Sequence, residues 1–474
     1  MNEIPVERSE GTTESEKHLA RLAERSFLNL WSYPNLYTDR GRTGDGDGKE
    51  LCDLLVVCGD HILIFSDKTC EWPSDQPVNV AWPRWYGRAV KKSVRQIIGA
   101  ARWIEQFPDR IFLDRKCQKP FPLEFPPPDR RRVHGIAVAN GAGDACKKFF
   151  DEGIGSLMLM TGVGVQDNGT PESPFTIGDA NPSGSYVHVL DDATLDIVMA
   201  ELDTISDLTS YLKKKEILLR ADQFTVAAAG EEELVAHYMT RMNDQNEHDF
   251  IFPPGHTGYA FDQGAFAEMK TNSQYVAKKD ADKISYMWDA LITNFTEHIL
   301  AGTSISPDGG TLALSDHERG VRVMALEPRF HRRNLSEGIK GVLEDLSDSP
   351  RKVRAMLPNT GAPGKNSGFF FMTLAIPDFL EQDYERYRSG RRAFLEAYLL
   401  ALLRENPEMS EIVGVAMEPI GPGGSSEDLL YTVQPEWSSK MLADLEEAKK
   451  RMEIMQKGNF STYPVHGDEY PDPE

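Results

Sequence analysis

The sequence predicts an α/β protein, with an N-terminal mixed sheet flanked by helices and an α+β region after it. Three observations carry that prediction. Residues 50–57 and 62–68 are two short apolar runs rich in Val and Ile, joined across Cys58-Gly59-Asp60-His61, a pattern that suits buried strands of a sheet. Apolar residues recur at helical spacing on either side of them, over residues 15–31 and 86–106. A further apolar run, residues 133–140, completes the order helix, strand hairpin, helix, strand by about residue 150.

The first helix carries Leu19, Leu22, Ala23, Phe27 and Leu30 on one face, and Thr13 with Glu16 fits the capping box that opens a helix. In the hairpin, side chains alternate, so Ser66 and Lys68 point to one face and Asp67 to the other. An acid opening one strand and a lysine closing its partner can converge on one spot. Carboxylates there can hold a hard cation such as Mg²⁺, and the lysine can position an attacking water or stabilise charge on a phosphate.

In the helix over 86–106, Val90, Val94, Ile97, Ile98, Ala101 and Ile104 form the expected buried stripe. Arg88, Arg95 and Arg102 repeat every seventh residue, with Lys91 near the same line, so these cations stack along one flank. From Arg84 to Arg132 there are 13 Lys/Arg against 5 Asp/Glu, a local charge of +8 in a chain of net charge −22. A basic stripe beside a metal-binding hairpin suits a phosphate backbone; the plainer alternative is a solvated face paired with acidic surface. Gln96 is expected to point away from the apolar face. The Pro-rich stretch over 120–128 reads as a stiff connecting loop.

The hairpin resembles that of the PD-(D/E)XK nuclease superfamily, in particular its NERD-like and restriction-endonuclease-like branches, over residues 10–150. The resemblance implies a restriction-endonuclease-like core, with Asp53 at the metal-binding aspartate and Lys68 at the motif lysine. Ser66 stands where the family has Asp or Glu, so Glu50 or Asp67 is expected to supply the missing carboxylate. The family's first helix often carries a glutamate that reaches the metal; Glu16 is the candidate, and helix capping is its competing role. The implied activity is Mg²⁺- or Mn²⁺-dependent endonucleolytic hydrolysis, with DNA favoured over RNA and a setting in restriction or phage defence. Arg88, Lys91, Arg95 and Arg102 would grip the nucleic acid. The alternative is a decayed nuclease fold that only binds or scaffolds.

At 474 residues the chain has room for two or three domains, read as 1–150, a strand-helix-helix connecting segment over 151–225, and an α+β domain over 226–474. No apolar run approaches the roughly 20 residues that span a bilayer, and the start lacks a secretory pattern, so a soluble cytoplasmic protein is expected. Five cysteines without a Cys-x-x-Cys spacing argue against structural zinc and a disulfide framework. There is no Gly-x-Ser-x-Gly, His-Glu-x-x-His or Gly-x-Gly-x-x-Gly.

The second half predicts a strand over 186–190, a helix capped by Asp191 or Asp192, helices over 204–219 and after Gly230, and one long helix over 278–300. Residues 361–367 read as a turn rather than a phosphate loop, because an apolar strand follows. Arg329, His331, Arg332 and Arg333 read as an exposed helix start or an interface. Arg386 and Arg388 oppose the dipole of the helix they open, which calls for a carboxylate or partner to offset them. Residues 467–474 read as a disordered acidic tail. A protein partner or self-association is expected through the C-terminal half.

Overall fold

The fold is described from a computed structural model, covering residues 5–44, 46–151, 153–162, 168–304, 314–345, 348–358, 366–380, 382–419, 426–456 and 467–473. The chain divides into two compact units, one reaching to Ala277 with Thr296–Gly302, the other built from Lys278–Phe295 and Thr303–Pro471.

In the first unit, α1 (Glu14–Phe27) precedes β1 (Ser32–Thr38), β2 (Lys49–Cys58) and β3 (His61–Thr69). The helix α2 (Val78–Gln106) then leads through β4 (Ile111–Phe112) to β5 (Arg132–Asn140). After α3 (Gly143–Phe150) come β6 (Met158–Met160), β7 (Thr176–Ile177), β8 (Val187–Asp191), α4 (Thr194–Glu201) and α5 (Ile205–Leu219). The unit continues through β9 (Thr225–Ala228), α6 (Glu231–Met239), β10 (Gly258–Phe261) and α7 (Ala265–Thr271) into the first residues of α8 (Ser273–Ala281), whose end from Lys278 belongs to the second unit. A six-stranded mixed sheet runs in the order β4-β1-β2-β3-β5-β8. Its β1–β2–β3 part is antiparallel, whereas β3, β5 and β8 are parallel. Parallel neighbours need a crossover, and α2 supplies the one from β3 to β5.

The boundaries expected at 150 and 225 do not fall where the chain divides. β8 is an edge strand of the N-terminal sheet, and β6 and β7 share a second four-stranded sheet with β9 and β10. The segment 151–225 thus belongs to the cores on both sides of it.

α2 begins eight residues before the expected start, and its early turns bury Trp82, Trp85 and Tyr86. Its apolar face is centred on Ala89, Ser93, Ile97, Ala100 and Ile104; Ala100 is buried rather than Ala101. The helix lies close on the sheet because β5 carries Gly135 beneath it, where a Cβ would sit 2.6 Å from Ile97 Cγ2.

Beyond it come α9 (Tyr286–Leu300), α10 (Leu314–Ala325), α11 (Arg329–Leu343), β11 (Arg351–Met356), β12 (Ser367–Leu374), α12 (Tyr384–Glu405), β13 (Glu411–Met417), β14 (Glu427–Val433) and α13 (Ser439–Arg451). The four strands form one sheet in chain order, with α12 crossing between the parallel pair β12 and β13. Residues 361–365 of the glycine-rich run lie outside the described residues, and β12 follows as expected.

Three expectations for this half are corrected. The single helix over 278–300 is broken by a 3₁₀ turn at Asp282–Ser285, where Asp282 turns inward to pair with Lys278 (2.6 Å) and Arg333 (3.2 Å). The arginines at the start of α11 are buried, not exposed: Arg329 and Arg332 share Asp289 at 2.8 and 2.6 Å. The acidic tail is not free, since Arg333 donates to the carbonyls of Asp468 and Glu469 and Lys278 pairs with Glu469 at 3.3 Å. Of the two arginines at the start of α12, Arg388 has the expected offset, pairing with Asp428 at 2.6 Å.

Candidate active site

The β2–β3 ladder runs from the turn at Cys58 and His61 as far as Leu54 and Phe65. Beyond that pair Asp53 takes over the bonding. Its Oδ2 accepts the Asp67 backbone N–H at 2.5 Å and the Lys68 ammonium at 2.9 Å, and its Oδ1 accepts from Gln96 Nε2 at 3.3 Å. Ser66 Oγ donates to Gln96 Oε1 at 3.0 Å. One strand pair and one helix thus interlock four polar side chains. Asp53 is 2% exposed, while the Lys68 side chain keeps 31% of its surface, so the carboxylate is buried and the lysine side chain is partly exposed.

Glu50 reaches the same face by a change of register. Three residues apart on a regular strand, Glu50 and Asp53 would point to opposite faces. However, Leu36 pairs with Cys52 while Tyr37 pairs with Glu50, so Leu51 is an extra residue on β2. That bulge restores Glu50 to the Asp53 side, in line with the tendency of bulges to re-aim a side chain. Burial, and then the nearby Asp53 charge, push the Glu50 carboxyl above its ordinary value.

Asn35 ties Glu50 to the first helix. It is buried with φ of 50°, a left-handed conformation that Asn tolerates better than most residues. Its Nδ2 donates to Glu16 Oε2 at 2.9 Å and to Glu50 Oε1 at 3.3 Å. Glu16 closes the expected capping box of α1. Burial pushes its carboxyl up, but hydrogen bonds from Asn35, Thr12 and Thr13 outweigh that and hold it below the ordinary value. Glu16 is therefore a cap joined to the site through Asn35.

Asp67 lies on the other face, as alternation requires. Its carboxylate accepts from Ser15 at 2.5 Å and from Asn140 at 2.8 Å, and burial raises its pKa to about 6. It braces α1 and β5, and does not supply the carboxylate that Ser66 lacks.

Among the described residues no three His, Cys, Asp or Glu side chains are grouped to hold a metal ion. The donor set on the Asp53 face is two carboxylates, Asp53 and Glu50, with the Ser66 hydroxyl. That set fits Mg²⁺ or Mn²⁺ as ions held by one or two carboxylates plus water and substrate phosphate, and does not fit an all-protein cage. Burial is the first cause of the upward shift of Glu50, and the Asp53 charge on the same face adds to it.

A cleft of about 470 Å³ opens beside the site, lined by Glu50 and Gln96 together with Arg40, Lys49, Arg95 and Trp103. Along α2, Arg88, Lys91, Arg95 and Arg102 are exposed, and Arg84 falls on the same line. Arg88 donates to the Glu71 carbonyl, Arg95 to the Lys91 carbonyl, and Lys91 lies over the Tyr86 ring. None of these five cations makes an ion pair among the described residues, so the acid-paired alternative does not describe this face.

Gln96, expected to point away, is the residue that sequence reading placed wrongly. Taking the buried face through Ile98 and Ala101 rotated the helix away from it. The usable signal was Ser93, a small polar residue three positions earlier that lies on the buried face. Asn35 had no such signal, because its role depends on its left-handed backbone in β1.

No family model, curated protein or solved structure matches the chain.

Proposed function

We propose that the chain is a metal-dependent phosphodiesterase acting on polynucleotides, related in design to the PD-(D/E)XK nucleases. The observation that carries this reading is the Asp53–Lys68 pair at the open end of the β2–β3 hairpin, with Glu50 and Gln96 on the same face and, beside it, α2 cations that make no ion pair among the described residues. Bound Mg²⁺ or Mn²⁺ would supply Lewis-acid polarisation of the phosphate and an acidified water. Asp53 and Glu50 would hold that ion. Glu50 takes the place of the family acid that Ser66 lacks.

Lys68 is held by Asp53 and by the Asp67 carbonyl at 3.2 Å, and its ammonium would orient an attacking water or stabilise charge on a phosphate oxygen. Gln96 orients both Asp53 and Ser66. Arg95 and its neighbours on α2 would hold the phosphate backbone.

Ser66 in place of an acid, with Asp67 turned away, favours a second reading, a decayed nuclease fold that binds without cutting. Titration calorimetry with Mn²⁺ separates the two. The catalytic reading expects binding heat that is lost in Asp53→Ala and weakened in Glu50→Gln; heat unchanged by both variants, or no heat in the wild type, contradicts it.

A further inference from the structure

We infer that the cleft at the start of α2 is a binding subsite for an unstacked nucleotide, which makes single-stranded nucleic acid the preferred substrate. The inference rests on the polynucleotide reading above and names its substrate class. The segment leaving β3 runs beside the first turns of α2 and leaves an open cleft of about 660 Å³, lined by Glu71, Trp72, Ser74, Asp75, Arg84 and Arg88.

Trp72 is a fixed platform there. Its ring stacks on Phe175, with centroids 4.9 Å apart and planes at 25°, and meets Trp85 at 6.4 Å. A base stacking on so constrained a ring costs little side-chain entropy. Arg88 is aimed by its bond to the Glu71 carbonyl at 2.8 Å, and Arg84 makes no ion pair among the described residues. Two guanidiniums beside an indole offer phosphate and base contacts together. Glu71 and Asp75 make the cleft a poor site for bare phosphate, but carboxylates accept from base amino groups.

Position supports the assignment. The line Arg84, Arg88, Lys91, Arg95 follows one face of α2 from this cleft to the cleft beside Glu50, over roughly 16 Å of helix. Lys68 and Trp72 are four residues apart on one continuous segment. A strand tracked along that line would present a phosphate to Lys68 while a neighbouring base rests on Trp72. A base inside a duplex cannot make that contact without leaving its stack.

The test is fluorescence anisotropy of a labelled 12-nucleotide single strand and its duplex, with full-length protein in EDTA so that nothing is cut. Tighter binding of the single strand is expected, weakened roughly 5- to 150-fold by Trp72→Ala and at least as clearly by Arg84→Glu, which disturbs no packing. Trp72→Phe should retain most of the affinity, separating stacking from misfolding. Equal binding of strand and duplex, or full affinity in both Trp72→Ala and Arg84→Glu, overturns the inference. If Mg²⁺-dependent cleavage persists in that case, only the subsite falls; absence of both binding and cleavage removes the polynucleotide reading as well.

Discussion

Gln96 donates to Asp53 and accepts from Ser66, so it orients two side chains on the Asp53 face. Removing such an outer partner typically costs 10- to 100-fold in metal affinity or activity. Gln96→Ala is expected to raise the Mn²⁺ concentration for half-maximal cleavage by roughly that range, whereas Gln96→Glu would crowd a third carboxylate against Asp53. An unchanged metal requirement in Gln96→Ala would remove Gln96 from the site. Asp67 makes a different prediction. Its folded pKa of about 6 lies above the ordinary 3.8, so the folded state holds the proton more tightly than the unfolded state. The stability it contributes is full below the ordinary value and is lost as pH rises towards 6. In urea unfolding, Asp67→Asn should gain on wild type by about 1 kcal/mol between pH 5 and pH 7.5; parallel pH profiles would contradict the assignment. Asp53, Lys68 and the opposed faces of Ser66 and Asp67 were legible in the sequence because strand alternation is strict. Glu50 could be suspected but not placed, since only a bulge at Leu51 brings it to the Asp53 side.

Among the elements, α2 and the β2–β3 hairpin were readable because their apolar patterns are long and regular. The early start of α2 was not, for Pro83 sits inside it and Trp82, Trp85 and Tyr86 interrupt the aliphatic stripe. The break between α8 and α9 was hidden as well. It is fixed by buried ion pairs from α11, which lies more than 40 residues away in sequence. Those pairs give the second unit a testable weak point. Asp289 is the shared partner of Arg329 and Arg332, both nearly buried, so Asp289→Ala leaves two guanidiniums without it. Breaking a buried pair this way costs about 3–5 kcal/mol. A large fall in unfolding free energy is expected, and a change under about 1 kcal/mol would show that the arginines find other partners.

For the molecule as a whole, a net charge of −22 is offset along one helix face, where five cations lack acidic partners among the described residues. Binding of nucleic acid should therefore be confined to that face and strongly salt-dependent. Each neutralised cation on it should lower the salt slope by about one. Arg95→Ala should weaken single strands of different sequence alike, measured by anisotropy at 50 and 200 mM salt; sequence-dependent losses would contradict a backbone role. Among the described residues no helix is long and apolar enough to cross a membrane. The division of the chain near residue 277 was not legible, because the strands of 151–225 complete sheets begun on either side, and pairing across such distances leaves no local mark in the sequence. The most direct measurement is cleavage of plasmid, single-stranded DNA and RNA by the full-length protein with Mg²⁺, Mn²⁺ or EDTA, comparing wild type with Lys68→Ala. Metal-dependent cleavage in wild type and its loss in a folded Lys68→Ala protein is the expected result. Cleavage that survives in Lys68→Ala, or none by wild type with either metal, would contradict a catalytic centre at Asp53 and Lys68.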